Sequence, residues 1–494
     1  MSIGAGVSEA QETRVASFAR EHGWSLFVWG VTLTWSIALF ALVREAYDTF
    51  QLPRYDLGNM VQAVWSTAHG RPLEMTEFWG DQVTRLGIHV DPILVLLTPF
   101  WVVAPHPLTL AAVQIAACAL GALPVFWLAQ RHLESKATAA VLALAYLAYP
   151  WLAWTALEAV HPVTFAIPLL LYALWFLDSG RIWAFASFAF LALTTGELVG
   201  LTVAGMGLWY AFARGRRASG IAIAVAGLAW TSLCLKVVVP AFSGSSSVYY
   251  ERFTSVGGSP LGLAKTVVTD PGAVVTALAT VDDLAYVVWL GLPLVGAFLL
   301  APGLALVAGP QLLVNLLSDS SPTTDPRTHY IAAIVPVLVG ASVLGLARLP
   351  AAHRRQAAVL VLMVCVVVSA SVGQLLAVPG LKKLGYQAEL PKQHVEALRD
   401  AVATVPEGVP VTTTNRVGGH LSARRYVYSV PVVRRAEWIV LDTWDPRVAA
   451  PRSTILEWDP EALERFAARI GRSPAWTKVF ERDGVLVFRR TTTR

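Results

Sequence analysis

The sequence predicts a mainly α protein: a polytopic bundle of transmembrane helices with a small α/β domain at its C-terminal end. Three observations lead there. Hydrophobic residues make up 55% of the 494 and charged residues only 14%, against about 25% charged in a soluble domain. Roughly eleven apolar runs, separated by polar loops, follow one another from Trp24 to Ala377. Beyond Ala377 the composition turns charged and no further span can be read.

The same composition excludes several classes. Cys118, Cys234 and Cys365 all fall in apolar runs and form no CxxC pair, so neither a disulfide framework nor a metal knuckle is indicated. The net charge of +5 is scattered over loops, which argues against a nucleic-acid partner. No Walker loop, GxGxxG, HExxH or GxSxG pattern occurs, leaving nucleotide-driven transport and serine-hydrolase chemistry without a motif. The abundant tryptophans suit interfacial anchors.

Residues 1–23 are polar and mixed in charge, with Arg14 and Arg20 ahead of the first span. They read as a cytoplasmic segment. The run that follows, Trp24–Val43, is long enough to cross and has no small-residue cleavage site behind it, unlike a secretory signal. Residues 44–107 then form the first outer loop. Within it Leu57, Met60, Val61, Val64, Trp65 and Ala68 recur at helical spacing, and Gly70 and Pro72 end that helix. Ile93–Val103 is apolar but short. At 1.5 Å per residue it covers only about half of a ~30 Å hydrocarbon core, so it is expected to dip into the membrane without crossing.

The crossings after the loop read as Leu108–Gln130, Ala137–Leu157, Val163–Leu177, Ile182–Thr195, Leu198–Ala213, Ser219–Val239, Leu284–Leu300, Gly303–Leu317, Ile331–Ala347 and Gln356–Ala377. Pro124, Pro168, Pro293, Pro310 and Pro336 are tolerated in kinked spans. With residues 1–23 inside and Ile93–Val103 not crossing, Arg131 and Lys136, Arg181, Arg214, Arg216 and Arg217, and Arg348, Arg354 and Arg355 all fall inside, the positive-inside pattern. Residues 24–377 are thus read as the transmembrane domain. Residues 378–494 are placed outside as an α/β domain, with helices at His394–Val405 and Pro460–Ile470, strands at Val409–Thr413 and Trp438–Leu441, and a hairpin around Asp483-Gly484.

This orientation gathers ionisable residues on the outer face, where burial is costly and function is the default explanation. Asp56 is the leading candidate, as a general base for an acceptor hydroxyl. Its alternative role is to cap the helix starting at Leu57. His89 and Asp91 can bind a phosphate or orient a sugar, or end a solvated loop. Glu158 and His161 share a helical face, fit for a metal or for a hydrogen bond to each other. Glu197 interrupts an apolar stretch and requires a partner, with Lys236, His161 or a metal as candidates. Arg327 can clamp a diphosphate, and His329 and Tyr330 can line the pocket; the alternative is an interfacial anchor belt of Tyr and Arg.

Taken together, Tyr55-Asp56-Leu57-Gly58, His89-Val90-Asp91-Pro92, Glu158 with His161-Pro162, Glu197 and His329-Tyr330 resemble the membrane family called domain of unknown function 2079. That family is grouped with the GT-C glycosyltransferases. The resemblance implies a bundle of GT-C type in a bacterial plasma membrane. It implies an enzyme that uses a polyprenyl-phosphate sugar and a cell-envelope glycan, lipid or protein as acceptor, with Asp56 as catalytic base. In such an inverting displacement His89, Arg327 or Lys236 would stabilise the phosphate leaving group. The chain departs from the family in having Gly196-Glu197 where relatives often carry two adjacent acidic residues, which counts against a metal there. No cofactor is assigned, with a divalent metal ion as the one alternative. Two other functions compete: a transporter or flippase of a lipid-linked precursor, which calls for repeats and midplane sites, and a non-catalytic membrane scaffold.

Overall fold

The computed structural model describes residues 3–244, 248–278, 280–372, 390–445, 447–449 and 456–491. The chain is mainly helical. Helix α1 (Ile3–Asp48) starts well ahead of Trp24, so the polar N-terminal segment is continuous with the first apolar helix. The helical bundle then runs through α2 (Asn59–Ala68), α3 (Ile93–Val103), α4 (Pro107–Leu120), α5 (Ala122–Leu133), α6 (Lys136–Leu147), α7 (Pro150–Leu157), α8 (Ala166–Asp178), α9 (Ile182–Leu193), α10 (Val199–Ala213) and α11 (Arg217–Leu233).

Among the described residues four helices are long and apolar enough to cross a membrane: His22–Asp48, Pro107–Leu133, Arg217–Ser243 and Ala351–Ser371. Two further pairs would qualify if each bent pair is one span. One is α6 with α7, bent by 48°, where Pro150 holds Tyr149 in an extended conformation. The other expected crossings are shorter or broken. Leu284–Leu300 was expected as one span. Instead a helix Val281–Gly291 gives way at Pro293 to the left-handed Val295 and Gly296. Gly303–Leu317 falls on one shorter apolar helix, Pro302–Leu316, whose winding tightens at Leu306–Ala308. Residues 373–377 of the last expected span, and the expected domain boundary at 378, lie outside the described residues.

Helices α10 and α11 pack backbone to backbone. A methyl group on Gly200 would stand 2.3 Å from the Gly227 carbonyl, so only glycine permits this approach. The end of α8 is anchored by the Asp178 carboxylate, which meets Arg131, His132 and Arg214. Helix α8 starts next to the His161 loop, so this cationic cluster lies about 20 Å from that loop, one helix length away.

The C-terminal residues build a five-stranded sheet of order β4-β3-β5-β9-β8. Its strands are β3 (Val411–Thr413), β4 (Val427–Ser429), β5 (Trp438–Asp442), β8 (Trp476–Arg482) and β9 (Val485–Arg490), while β6 (Arg447–Ala449) and β7 (Leu456–Trp458) pair only with each other among the described residues. Strand β3 is parallel to both neighbours, and β9 is antiparallel to β5 and β8. Period-two alternation covers both faces. Val440 packs with Val395 and Leu398 of the helix Lys392–Ala403. Ile439 and Leu441 pack with Leu463, Phe466 and Ile470 of the helix Pro460–Arg472. The hairpin turn uses Asp483 and Gly484, both at positive φ, as a two-residue turn requires.

This sheet is seated on the first loop. His420 is stacked on both Tyr47 and Phe50, at 4.0 Å from each. The loop strands β1 (Glu74–Thr76) and β2 (Gln82–Thr84) form a small hairpin beside it. A methyl group on Gly419 would lie 2.1 Å from the Leu52 carbonyl, so the backbones meet here too.

Candidate active site at the outer cavity

Asp56 lies in a π-helical turn, Arg54–Gly58, that leads directly into α2. The expectation that it caps a helix starting at Leu57 is corrected. The cap position of α2 is Gly58, and no side chain caps it. The carboxylate therefore faces a cavity of about 710 Å³ instead of its own backbone. Single π turns inside helices recur at functional sites because they re-aim one side chain.

Two neighbours hold that turn. Arg54 is fully buried, and its guanidinium donates to Ser429 Oγ (2.6 Å), the Thr76 carbonyl (2.6 Å) and the Val427 carbonyl (2.7 Å). The Tyr55 hydroxyl donates to the same Ser429 Oγ at 2.7 Å, and its ring stacks on Phe78 at 3.9 Å. Asp56 is thus positioned by strand β4 and the β1–β2 hairpin as well as by its own helix.

Opposite it lie Glu158, His161 and His329. Helix α7 ends at Leu157, and Gln114 of α4 fixes the turn beyond it. Gln114 Nε2 donates to the Ala159 carbonyl (2.9 Å), and its Oε1 accepts from the His161 amide (2.9 Å). His161 Nε2 is 3.7 Å from Asp56 Oδ1. Its ring stacks on His329 with centroids 3.8 Å apart and planes at 14°. His329 Nδ1 is 3.2 Å from Glu158 Oε1. Glu158 and His161 are therefore not bonded to each other; each turns to a residue from another loop. Asn315 steadies the loop carrying His329 by donating to the Tyr330 carbonyl at 3.0 Å.

Burial and charge separate the protonation states of these loop groups. Burial raises the pKa of Asp56, but the bond and charge of His161, with His329 and Arg447, outweigh it and hold the carboxyl below its usual range. Burial pushes Glu158 up to about 7 and pulls His329 down to about 3. At neutral pH the cavity therefore presents an ionised Asp56 next to an uncharged His329.

The other wall carries His89 and Glu197. The buried Glu197 carboxylate lies 3.3 Å from His89 Nδ1 and accepts from the Val90 amide at 3.0 Å. Its expected pairing with Lys236 or His161 is corrected: the His89 loop supplies its partners. Asp91 accepts a forked bond from Arg85, with both side chains buried. It lines the cavity with its charge already matched. Tyr330 also lines the cavity, and its hydroxyl accepts from Arg252 at 2.7 Å.

Two candidates lie elsewhere. Lys236 is exposed on a π turn that continues α11, next to the exposed Val237, and does not line the cavity. Arg327 is exposed and forks onto Asp325, with contacts of 2.7 to 3.1 Å. Two arginines outside the expected set line the cavity instead: Arg85, which is paired with Asp91, and Arg252. Gln114 and Arg54 were also missed. A glutamine inside an apolar run, and an arginine next to Tyr55-Asp56, were the available signals.

No curated protein matches the chain. Among solved structures, the crystal structure of ArnT from Cupriavidus metallidurans bound to undecaprenyl phosphate is similar at a TM-score of 0.49 and 12% identity, over 94% of this chain and 98% of that one. Residues 46–487, most of the chain, match the family described as predicted membrane protein, domain of unknown function 2079, and the chain belongs to that family.

Proposed function

We propose that this protein is a membrane glycosyltransferase of GT-C type. It transfers a sugar from a polyprenyl-phosphate donor to an acceptor on the outer face of a bacterial plasma membrane. The observation that carries the reading is the aim of Asp56: an ionised carboxylate directed into a cavity of about 710 Å³, beside the short apolar helix α3. A cavity of this size accommodates a sugar phosphate. Helix α3 exposes Val95, Leu96, Phe100 and Val103, which suits contact with lipid at the edge of such a site.

In the reaction Asp56 takes the proton of the acceptor hydroxyl. The acceptor oxygen attacks the anomeric carbon from the face opposite the phosphate. The carbon–oxygen bond to the phosphate breaks with inversion, and polyprenyl phosphate leaves. Arg252 and His89 are placed to meet the charge that develops on the phosphate oxygens. The cavity's own titratable groups lie at one end of α8, and the Asp178 cluster at the other, which favours a transferase over a transporter with midplane sites.

The test is a deletion strain examined for its lipid-linked sugars. A polyprenyl-phosphate sugar is expected to accumulate, to clear when the intact gene is restored, and to persist when Asp56→Asn is restored at equal membrane abundance. Clearance by Asp56→Asn would overturn the assignment of the base. An unchanged lipid pool in the deletion would overturn the transferase itself.

A further inference from the structure

We infer that Glu158, His161 and His329 form a divalent-metal site, and that zinc is the ion its donors fit. One donor atom from each of the three residues lies within 4.8 Å of the others. Donors bound to one tetrahedral zinc stand about 3.4 Å apart, given bonds near 2.1 Å. Glu158 Oε1 and His329 Nδ1 already stand at 3.2 Å. The His161 ring is stacked on that of His329, so binding an ion requires these two rings to turn out of the stack until their nitrogens converge. Two imidazoles and one carboxylate are a recurring zinc set that leaves a fourth position open.

Unpartnered atoms give a second, independent line. Among the described residues, Glu158 Oε2 and His161 Nδ1 are buried without a hydrogen-bond partner. Burying such an atom is unfavourable unless something satisfies it. A simple ion-pair network would use these atoms; here two of the three members keep one in reserve. The backbone around the donors is also pinned from outside the triad. Gln114 holds the His161 turn and Asn315 holds the His329 loop, as outer partners do around metal ligands. His161 and His329 line the cavity while Glu158 stands behind them, so the open position faces Asp56. An ion there would offer positive charge to an oxygen of whatever the cavity binds.

This inference does not rest on the transferase reading, and its test measures metal directly. The full chain, purified in detergent and dialysed against zinc, is expected to retain about one zinc per chain by elemental analysis. His161→Ala, His329→Ala and Glu158→Gln should each lower that content at least fivefold, in preparations that remain monodisperse. Cobalt added to the metal-free wild-type chain should produce the visible absorption of a four-coordinate site, a readout that needs no variant to fold. Asp56→Asn keeps all three donors and should keep the zinc, so a chain without transfer but with its ion is distinguishable from one without the ion. A wild-type chain that holds no zinc and gives no cobalt spectrum, or His161→Ala and His329→Ala chains that hold full zinc, would overturn the site.

Discussion

Tyr55 and Ser429 are separated by 374 residues in the chain, and their hydroxyl oxygens are 2.7 Å apart. Ser429 also accepts from Arg54 at 2.6 Å. One serine on strand β4 thus holds both residues that precede Asp56. The sheet braces the turn that carries Asp56 from outside the cavity, and the carboxylate's aim depends on its docking.

Losing that contact should therefore move the site more than it weakens the fold. Tyr55→Phe removes one hydrogen bond, about 1 kcal/mol. Arg54→Ala takes its donor from two buried carbonyls, Thr76 and Val427, and half of the Ser429 clamp, and should cost of order 3 kcal/mol. Thermal unfolding in detergent should rank the two in that order. Transfer activity should fall in both, because the π turn loses its anchor. An Arg54→Ala chain as stable as wild type would show that the guanidinium is not the clamp.

Asp56 makes no cap, so its replacement should leave the helix intact. Asp56→Asn is expected to keep the unfolding temperature within a degree or two and to reduce transfer by about 10²–10⁴-fold, the usual worth of a general base. Activity assays on the variant in lipid nanodiscs measure this directly. Residual activity above a tenth of wild type would assign the proton transfer to another group.

The placement of the cations separates three residues. Arg252→Ala should weaken transfer by tenfold or more, since Arg252 lines the cavity. Lys236→Ala and Arg327→Ala should stay within about twofold of wild type, because an exposed pair or stem contributes little. Parallel kinetics on the three variants provide the comparison. A larger loss in Arg327→Ala than in Arg252→Ala would reverse the assignment.

His394 gives the C-terminal sheet a pH dependence. Burial disfavours its charged form, but Asp442 at 3.1 Å and Asp483 outweigh burial and raise its pKa above the usual value. A group with a raised folded-state pKa stabilises fully below its unfolded pKa, about 6.5 for histidine, and loses that contribution as pH rises through the folded value. The gap in unfolding temperature between wild type and His394→Asn should be widest near pH 6 and narrow towards pH 9. A gap that widens with pH would mean the imidazole is buried neutral.

The apolar runs, the change in charge near residue 378 and the short helix α3 are legible in the chain, because each follows from local composition, length and period. The sequence also marked Asp56, Glu158, His161, Glu197 and His329, since ionisable groups in an apolar chain stand out. The partnerships were decided by the tertiary structure. Glu197 is bonded to the His89 loop and not to Lys236, and Glu158 to His329 and not to its neighbour His161. Spacing along a chain cannot show which loops close over one another. The same limit hid the break at Val295 and Gly296, where hydropathy reads a continuous run while the backbone turns. It also hid Arg54, Gln114 and Arg252, whose donors find acceptors only when distant segments meet.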